Sequence, residues 1–586
     1  MIKFPFTDSL SPFNPKKVKL NFSSSGVLFL FLGIIFNLIS LYFHYFFDFS
    51  MPTVQADIAT SSYVVSLVFL GVSFYILQVK NEKLKTDFNS RDKILLATII
   101  GLGLLIRIYK LDSVGHLPED NLWMNQAFRV INRTVRSPFL FIGDLPTNLP
   151  VYPVAFFYLI FKNIDYAVRL PSILYDGLFL LSLFFLVYET LGKKIAFWSL
   201  FLASFSIWGI HNSRLAWHNL STNPLLITAS LLFLVRILKY TKTTDFYWCA
   251  FFLGMAFNLL YIPALIIPVV FLFLLIYLFP RIKLFSYHLF IISFISFFVI
   301  SPTLVKLYKY PQTLSRHEGF FSENLNRASK RAGPLSYYFE QFSLVIKEFG
   351  YSKNHYSSDG PWGPALNPLM VLLYHFGLVF CLLQLTLPSF RLFFLSWIVM
   401  FIPVVILYIT GSVWRLINFA PSVFIFSAVG IGALTGYAEK ILPQSLKKIG
   451  VNFIGVFLII LFSIYFKQEY KQFFYTRTVE RQNHIFQLCK NVEKKLGQLY
   501  YTEIWVSNDW CGQTLKTVLS SKADVNLYYR LSDIPLDFST SKKIIIKTVS
   551  KTNPRSLVLG AQDLGMLKDQ VTDEKTEDYI EIYYAP

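Results

Sequence analysis

The chain has 586 residues, 54% of them hydrophobic and 18% aromatic, with only 15% charged and a formal net charge of +19. That composition excludes an ordinary soluble domain and a disordered chain, and describes an integral membrane protein. The basic excess sits largely in short loops beside apolar runs, which favours anionic lipid and argues against a nucleic-acid partner.

Apolar windows of about 17–22 residues recur along the chain, each long enough to cross a hydrocarbon layer of about 30 Å. About thirteen meet that criterion: 26–47, 61–79, 94–109, 166–188, 194–211, 220–238, 245–260, 262–279, 285–303, 367–386, 390–409, 417–437 and 450–466. The first, Val27 to Phe47, is too long for a cleavable signal core and lacks a small-residue cleavage site, so it reads as a retained anchor. Lys16, Lys17 and Lys19 precede it, and Lys80, Lys83, Lys85, Arg91 and Lys93 follow the second span. Both clusters belong in the cytoplasm by the positive-inside bias. Carrying the alternation forward puts Lys193/Lys194, Arg236/Lys239/Lys242, Arg281/Lys283, Arg391 and Lys440/Lys447/Lys448 inside as well. The N-terminus then faces the cytoplasm, while the loops 110–165 and 304–366 and the C-terminal tail face outward.

The first outer loop opens with His116-Leu117-Pro118-Glu119-Asp120-Asn121. After it, Trp123, Met124, Ala127, Phe128, Val130 and Ile131 recur at helical spacing, with Asn125, Gln126, Arg129, Asn132, Arg133 and Arg136 mostly on the other side. Such a helix is expected to lie in the headgroup plane. Glu119 and Asp120 fall at its N-terminal end, where the backbone dipole favours the ionised form that a general base requires. Acidic residues also cap helix starts, and the residues alone leave both readings open. Pro150 and Pro153 break the chain ahead of a second surface helix, Val154 to Phe161.

Asp176 falls inside the span 166–188, where an uncompensated charge costs at least ~2.5 kcal/mol, so it must be paired, protonated or turned to a cavity. His375 reads as a hydrogen-bonded interior histidine. The second outer loop is basic, with Lys306, Lys309, Arg316, Arg327, Lys330 and Arg331 against Glu318 and Glu323. It also holds Asn354-His355-Tyr356 and Gly360-Pro361-Trp362-Gly363-Pro364, whose Tyr356 and Trp362 either stack on a sugar ring or belong to the interfacial aromatic belt. From about 467 a polar helix (478–496) and β-rich runs at 503–507, 525–529, 543–549 and 579–584 predict an α/β domain of about 120 residues. Cys489 and Cys511 fall in this tail and are placed to pair in an oxidising exterior, although a single pair is a weak signal. The chain divides into an N-terminal tail with two extra spans (1–93), a membrane domain (94–466) and a terminal extracytoplasmic domain (467–586).

No Walker loop or Rossmann glycine fingerprint follows a strand, which argues against an enzyme of soluble nucleotides and against an ATP-driven pump. The histidines are scattered, without the spacing of a zinc site.

Four motifs stand in order along the chain: Pro118-Glu119-Asp120, Ala167-Val168-Arg169-Leu170-Pro171-Ser172, Gly192-Lys193-Lys194-Ile195-Ala196 and Asn212-Ser213-Arg214-Leu215-Ala216. The set resembles the family 39 glycosyltransferases of the GT-C superfamily, which include protein O-mannosyltransferases and the lipid A aminoarabinose transferase, over about 94–437. The resemblance implies a polytopic α-helical membrane protein of GT-C type with juxtamembrane helices on its outer surface. It implies transfer of a sugar from a polyprenyl-phosphate carrier, with inversion, on the non-cytoplasmic side. In the family an acidic pair in the first outer loop, usually Asp-Glu, supplies the base. Here the order is Glu-Asp, with Glu119 in the place of the catalytic Asp and Ala127 matching the small residue further along the helix. Near Arg214, where mannosyltransferase relatives carry an aspartate, this chain has His218 and Asn219.

Inverting attack on a sugar–phosphate bond needs a base behind the acceptor and positive charge around the leaving phosphate. The base candidates are Glu119 and Asp120. The phosphate candidates are Arg169 and Arg214, which lie at outer span ends on motif positions, with Arg133, Arg136, Arg316, Lys330 and Arg331. Tyr356, Trp362, His218 and Asn219 are candidates for the sugar and the acceptor. No metal is required by this scheme, although some GT-C relatives hold a divalent ion with their acidic loop, so Glu119 and Asp120 are where one would sit. The expected partners are a polyprenyl-phosphate-linked sugar, a glycan, lipid or protein acceptor, and membrane lipid, with the plasma membrane as location. Two other readings compete: a transporter or flippase of polyprenyl-linked glycans, and a non-catalytic relative that binds lipid-linked sugar, which the inverted acidic pair favours. The two N-terminal spans read as an anchoring or partner-contacting pair.

Overall fold

The computed structural model describes residues 23–47, 54–77, 88–111, 118–133, 138–139, 149–215, 221–259, 263–278, 282–310, 334–350, 356–357, 360–361, 366–406, 413–471, 473–474 and five strands of the tail. Two helices open the chain, α1 (Ser24–Phe46) and α2 (Val54–Ile76). They pair antiparallel through small residues: Ser73 Oγ donates to the Gly26 carbonyl, Ser66 Oγ to Gly33 and Ser40 Oγ to Ala59, each at 2.8 Å. These contacts repeat every seven residues, so a narrow stripe of small side chains lets the two backbones approach closely.

The helices that follow are α3 (Ser90–Ile108), α4 (Pro118–Ile131), α5 (Val151–Phe161), α6 (Ile164–Leu191), α7 (Lys193–Phe205), α8 (Ile207–Arg214), α9 (Asn223–Tyr240) and α10 (Thr243–Leu259). After a 3-10 turn at Pro263–Leu265 come α11 (Ile266–Leu278), α12 (Ile282–Lys309), α13 (Pro334–Gly350), α14 (Pro368–Leu383) and α15 (Pro388–Ile406). A second 3-10 segment, Val413–Phe419, leads into α16 (Ala420–Ile441), and α17 (Lys447–Lys471) closes the bundle. Each of the thirteen apolar windows coincides with helix. By length and composition, however, only seven helices among the described residues can cross a membrane: α1, α2, α6, α9, α12, α16 with the turn before it, and α17. The pair α7 and α8 makes an eighth, broken span bent by 57°. Expected spans 94–109, 245–260, 262–279, 367–386 and 390–409 form α3, α10, α11, α14 and α15, which do not meet that criterion.

Burial orders the bundle. The apolar window of α16 is 94% buried, against 22% for α1 and 17% for α17, so α16 runs through the centre and the other two face outward. A Cβ on Gly377 of α14 would run into the Phe426 carbonyl of α16, and one on Gly430 into the Leu373 carbonyl, so glycine sets how closely these helices cross. The expected surface helix at Val154 begins earlier, at Val151, because proline in a first turn costs no helical hydrogen bond.

In the tail, β3 (Glu503–Ser507), β4 (Asp524–Tyr528), β5 (Lys543–Val549), β6 (Leu567–Thr572) and β7 (Tyr579–Tyr584) form one sheet in the order β4-β3-β5-β7-β6. β4, β3 and β5 run parallel, while β7 is antiparallel to β5 and β6. Four strands fall on the predicted runs. β6, rich in Lys, Asp and Gln, had no apolar signal to reveal it. The polar helix 478–496 and Cys489 and Cys511 lie outside the described residues.

Candidate active site

The acidic pair begins α4, placing Glu119 and Asp120 in its first turn; their side chains lie outside the described residues. The apolar face of that helix goes into protein. Trp123, Met124 and Ala127 pack with Val151, Val154 and Ala155 of α5 and with Ala167 and Val168 of α6. This corrects the expectation that α4 lies in the headgroup plane on its apolar face: Met124 and Ala127 are fully buried against α5 and α6. Phe156, Leu159, Ile160 and Phe161 of α5 carry the exposed apolar surface instead. Docking on Ala167 and Val168 brings α4 against the turn of α6 that contains Arg169.

Arg169 is buried. Its Nη1 donates to the Leu111 carbonyl at 2.7 Å and to Asp165 Oδ1, one helical turn back, at 3.1 Å. Arg214, at the end of α8, is equally buried and donates to the two preceding carbonyls, Tyr109 at 2.6 Å and Lys110 at 2.7 Å. The Phe474 ring lies 4.8 Å from the Arg214 guanidinium and Phe473 lies 5.7 Å away. Three consecutive carbonyls leaving α3 toward the acidic segment are therefore each held by an arginine. Carbonyls at a helix end have no intrahelical donor, and a guanidinium fork can serve two at once.

Asp176 has the partner that its position demands. Arg107 of α3 reaches it at 2.5 Å through Nε, and donates through Nη1 to Gly103 and Ser204 and through Nη2 to Ala203. Ala203 and Ser204 end α7 at the bend before Ser206, and the next carbonyl, Phe205, accepts from Tyr470 at 2.8 Å. Side chains from α3 and α17 thus supply the donors that the broken span lacks. The same bend aims α8, and with it Arg214, at the end of α3.

Arg133 is exposed at the opposite end of α4, where it adopts a left-handed φ of 57°, about 20 Å along the axis from the acidic pair. Arg136, Arg316, Lys330, Arg331, Trp362, His218 and Asn219 lie outside the described residues, and of Tyr356 only the backbone is described, paired with Pro361. His375 Nδ1 donates to the Val371 carbonyl, one turn back on its own helix, at 2.8 Å, as expected of a hydrogen-bonded histidine. Among the described residues no group of three or more His, Cys, Asp or Glu could hold a metal ion. Tyr152 of α5, read as outside the spans, has its phenol pushed up by burial and by the negative charge of Asp57 on α2. Arg107, Tyr470, Phe473 and Phe474 were not singled out from the sequence. An arginine deep in an apolar span, as Arg107 is, was the available signal; the aromatic residues look like any others in this chain.

Residues 148–305 match the family model for dolichyl-phosphate-mannose-protein mannosyltransferase. The match contains the motifs around Arg169, Gly192 and Arg214 and begins after Glu119 and Asp120. No curated protein matches the chain. Among solved structures, ArnT of Cupriavidus metallidurans bound to undecaprenyl phosphate is similar at 12% identity and a TM-score of 0.54, over 84% of this chain and 98% of that one. The archaeal oligosaccharyltransferase AglB of Archaeoglobus fulgidus, in complex with an inhibitory peptide and a dolichol-phosphate, is similar at 12% identity and a TM-score of 0.47. That alignment covers 73% of this chain and 64% of the archaeal one, so the chain spans less than two thirds of its length. The bundle, with its broken span and buried arginines, shares its fold with that ArnT structure, and its residues 148–305 resemble the dolichyl-phosphate-mannose-protein mannosyltransferases.

Proposed function

We propose that the chain moves a monosaccharide from a polyprenyl-phosphate carrier to a hydroxyl of a cell-envelope glycan, lipid or protein, on the non-cytoplasmic face of the plasma membrane. Glu119 or Asp120 takes the acceptor proton as the hydroxyl attacks the anomeric carbon from the side opposite the phosphate, which leaves with inversion. Cations stabilise the departing phosphate: Arg169 and Arg214 act through their field, and Arg133, Arg136, Arg316, Lys330 and Arg331 are assigned as further donors. Tyr356, Trp362, His218 and Asn219 are assigned to the sugar and acceptor. A divalent ion is not needed for this step; if one takes part, the acidic pair is its place.

The observation that carries this reading is the docking of α4 on the first turns of α6, which brings the helix that starts with the acidic pair against the turn holding Arg169. The fold likeness to ArnT, and the undecaprenyl phosphate in that relative, support the donor class.

The test is transfer from a radiolabelled polyprenyl-phosphate sugar to an envelope extract by the purified protein. We expect transfer by the wild type and a loss of about 10²–10⁴-fold in Glu119→Gln or Asp120→Asn, whichever residue is the base. Unchanged transfer in both variants removes the proposed base. Binding of the labelled donor with no transfer by the wild type supports the non-catalytic reading instead.

A further inference from the structure

The N-terminal hairpin α1–α2 holds none of the residues assigned to the chemistry, and it lies outside the matched segment 148–305. Two of its buried side chains, Asn37 and Tyr63, nevertheless reach a single place in α12. Pro302 has no N–H, so the Phe298 carbonyl one turn earlier lacks its helical donor. Asn37 Nδ2 of α1 fills that role at 3.2 Å, and Ser301 Oγ lies 3.0 Å from the same carbonyl and 3.2 Å from Asn37 Oδ1. The next carbonyl, Val299, accepts from Tyr63 of α2 at 2.7 Å and from Asn258 at 2.9 Å. Asn258 in turn accepts from Thr303 at 2.8 Å.

Beyond Pro302, α12 runs to Lys306 and Lys309. Lys306 Nζ donates to the carbonyl of Phe139, in the first outer loop. The buried Phe139 ring then returns to the hairpin, edge-on to His44 at 5.2 Å and to Tyr63 at 4.9 Å. Lys309 stands over the Tyr45 ring at 5.5 Å. Hairpin, proline turn, Lys306 and Phe139 form a closed circuit, in which Tyr63 touches both the proline turn and the loop.

We infer that the hairpin is a positioning element for the outer face: Asn37 and Tyr63 hold α12 at the carbonyls beside Pro302, and through Lys306 they hold the Phe139 segment between α4 and α5. An apolar anchor would need no polar side chain at this depth, where a buried polar group left without a partner is costly. The kinetic consequence rests on the transferase reading; the structural one does not.

The test compares wild type, Asn37→Leu/Tyr63→Phe and the lipid-facing control Leu38→Ala in nanodiscs. Amide exchange is followed in peptides that contain Phe139 and Lys306–Tyr310, with peptides of α9 and α16 as internal reference. Interhelical hydrogen bonds in membranes contribute about threefold each on average, so the double variant is expected to exchange about tenfold faster in the outer peptides alone. Its kcat for sugar transfer should fall by a similar factor with KM for the donor little changed. Tyr63→Phe by itself keeps the ring against Phe139, so it gives a folded variant with about a threefold effect should the double variant not fold. Wild-type exchange in the outer peptides of either variant overturns the inference, as does equal acceleration across the whole bundle. If the wild type transfers no sugar, the transferase reading fails while the exchange result still decides the role of the hairpin.

Discussion

The two ends of the bundle use their cations differently. At the acidic-loop end, Arg169 and Arg214 donate to the carbonyls of Tyr109, Lys110 and Leu111. At the opposite end, Arg236 and Lys239 of α9 meet carboxylates: Arg236 reaches Asp245 at 2.9 Å and Glu189 at 4.0 Å, and Lys239 reaches Glu189 at 3.1 Å. Tyr240 also donates to Glu189 at 2.8 Å. Ion pairs join side chains and tie α6, α9 and α10 together. Guanidinium–carbonyl bonds fix the path of the backbone itself, and the path they fix leads into the segment that starts α4. Ion pairs fit a structural end, and guanidinium–carbonyl bonds an end where a short loop must arrive in one place.

Arg107 combines both kinds of bond, so it gives the largest expected effect. Arg107→Leu strands Asp176 in the bundle and should cost about 3–5 kcal/mol in denaturation of the purified protein. The double variant Arg107→Leu/Asp176→Leu removes the stranded charge but leaves the Ala203 and Ser204 carbonyls without that donor. It should stay about 1–3 kcal/mol below wild type. Full recovery in the double variant would show that the carbonyl bonds contribute nothing and would break the distinction drawn between the two ends.

A smaller effect separates geometry from charge. Arg214→Lys keeps the positive charge but not the fork, and should cost about 1–3 kcal/mol, with transfer reduced. Arg236→Gln at the other end, far from the acidic loop, should leave transfer intact. Equal losses in the two variants contradict the asymmetry.

The smallest effect concerns pH. Asp92 caps α3 and bonds Lys193 at 2.9 Å, and that hydrogen bond holds its carboxyl below the usual carboxylate range. Because the folded-state value is the lower one, the contribution is full above the ordinary aspartate range and disappears as pH falls through the depressed value. The difference in melting temperature between wild type and Asp92→Asn should therefore be small at neutral pH and shrink further as pH falls through the depressed value. A difference that grows on acidification has the wrong sign for this pair.

The helices were legible in the sequence because apolar runs of that length have few other fates, and α4 was legible because Trp123, Met124 and Ala127 recur at helical spacing. What covers an apolar face was not. The pattern of α4 is the same whether its face meets lipid or the helices α5 and α6, and only packing shows that it meets protein. The need for a partner at Asp176 followed from the cost of a charge in a span; the choice of Arg107, 69 residues earlier, did not.

By itself the sequence determined the helical membrane class, the apolar windows, four of the five described strands of the tail and the place of the acidic pair at a helix start. These follow from local periodicity and from the cost of polar groups in hydrocarbon. Tertiary structure decided that the window near 205 is broken, that Arg169 and Arg214 grip the chain leaving α3, and that the first two helices reach α12. Those facts depend on carbonyls freed at helix ends and at Pro302, whose donors come from residues far away in the chain, and no local pattern records which donor arrives.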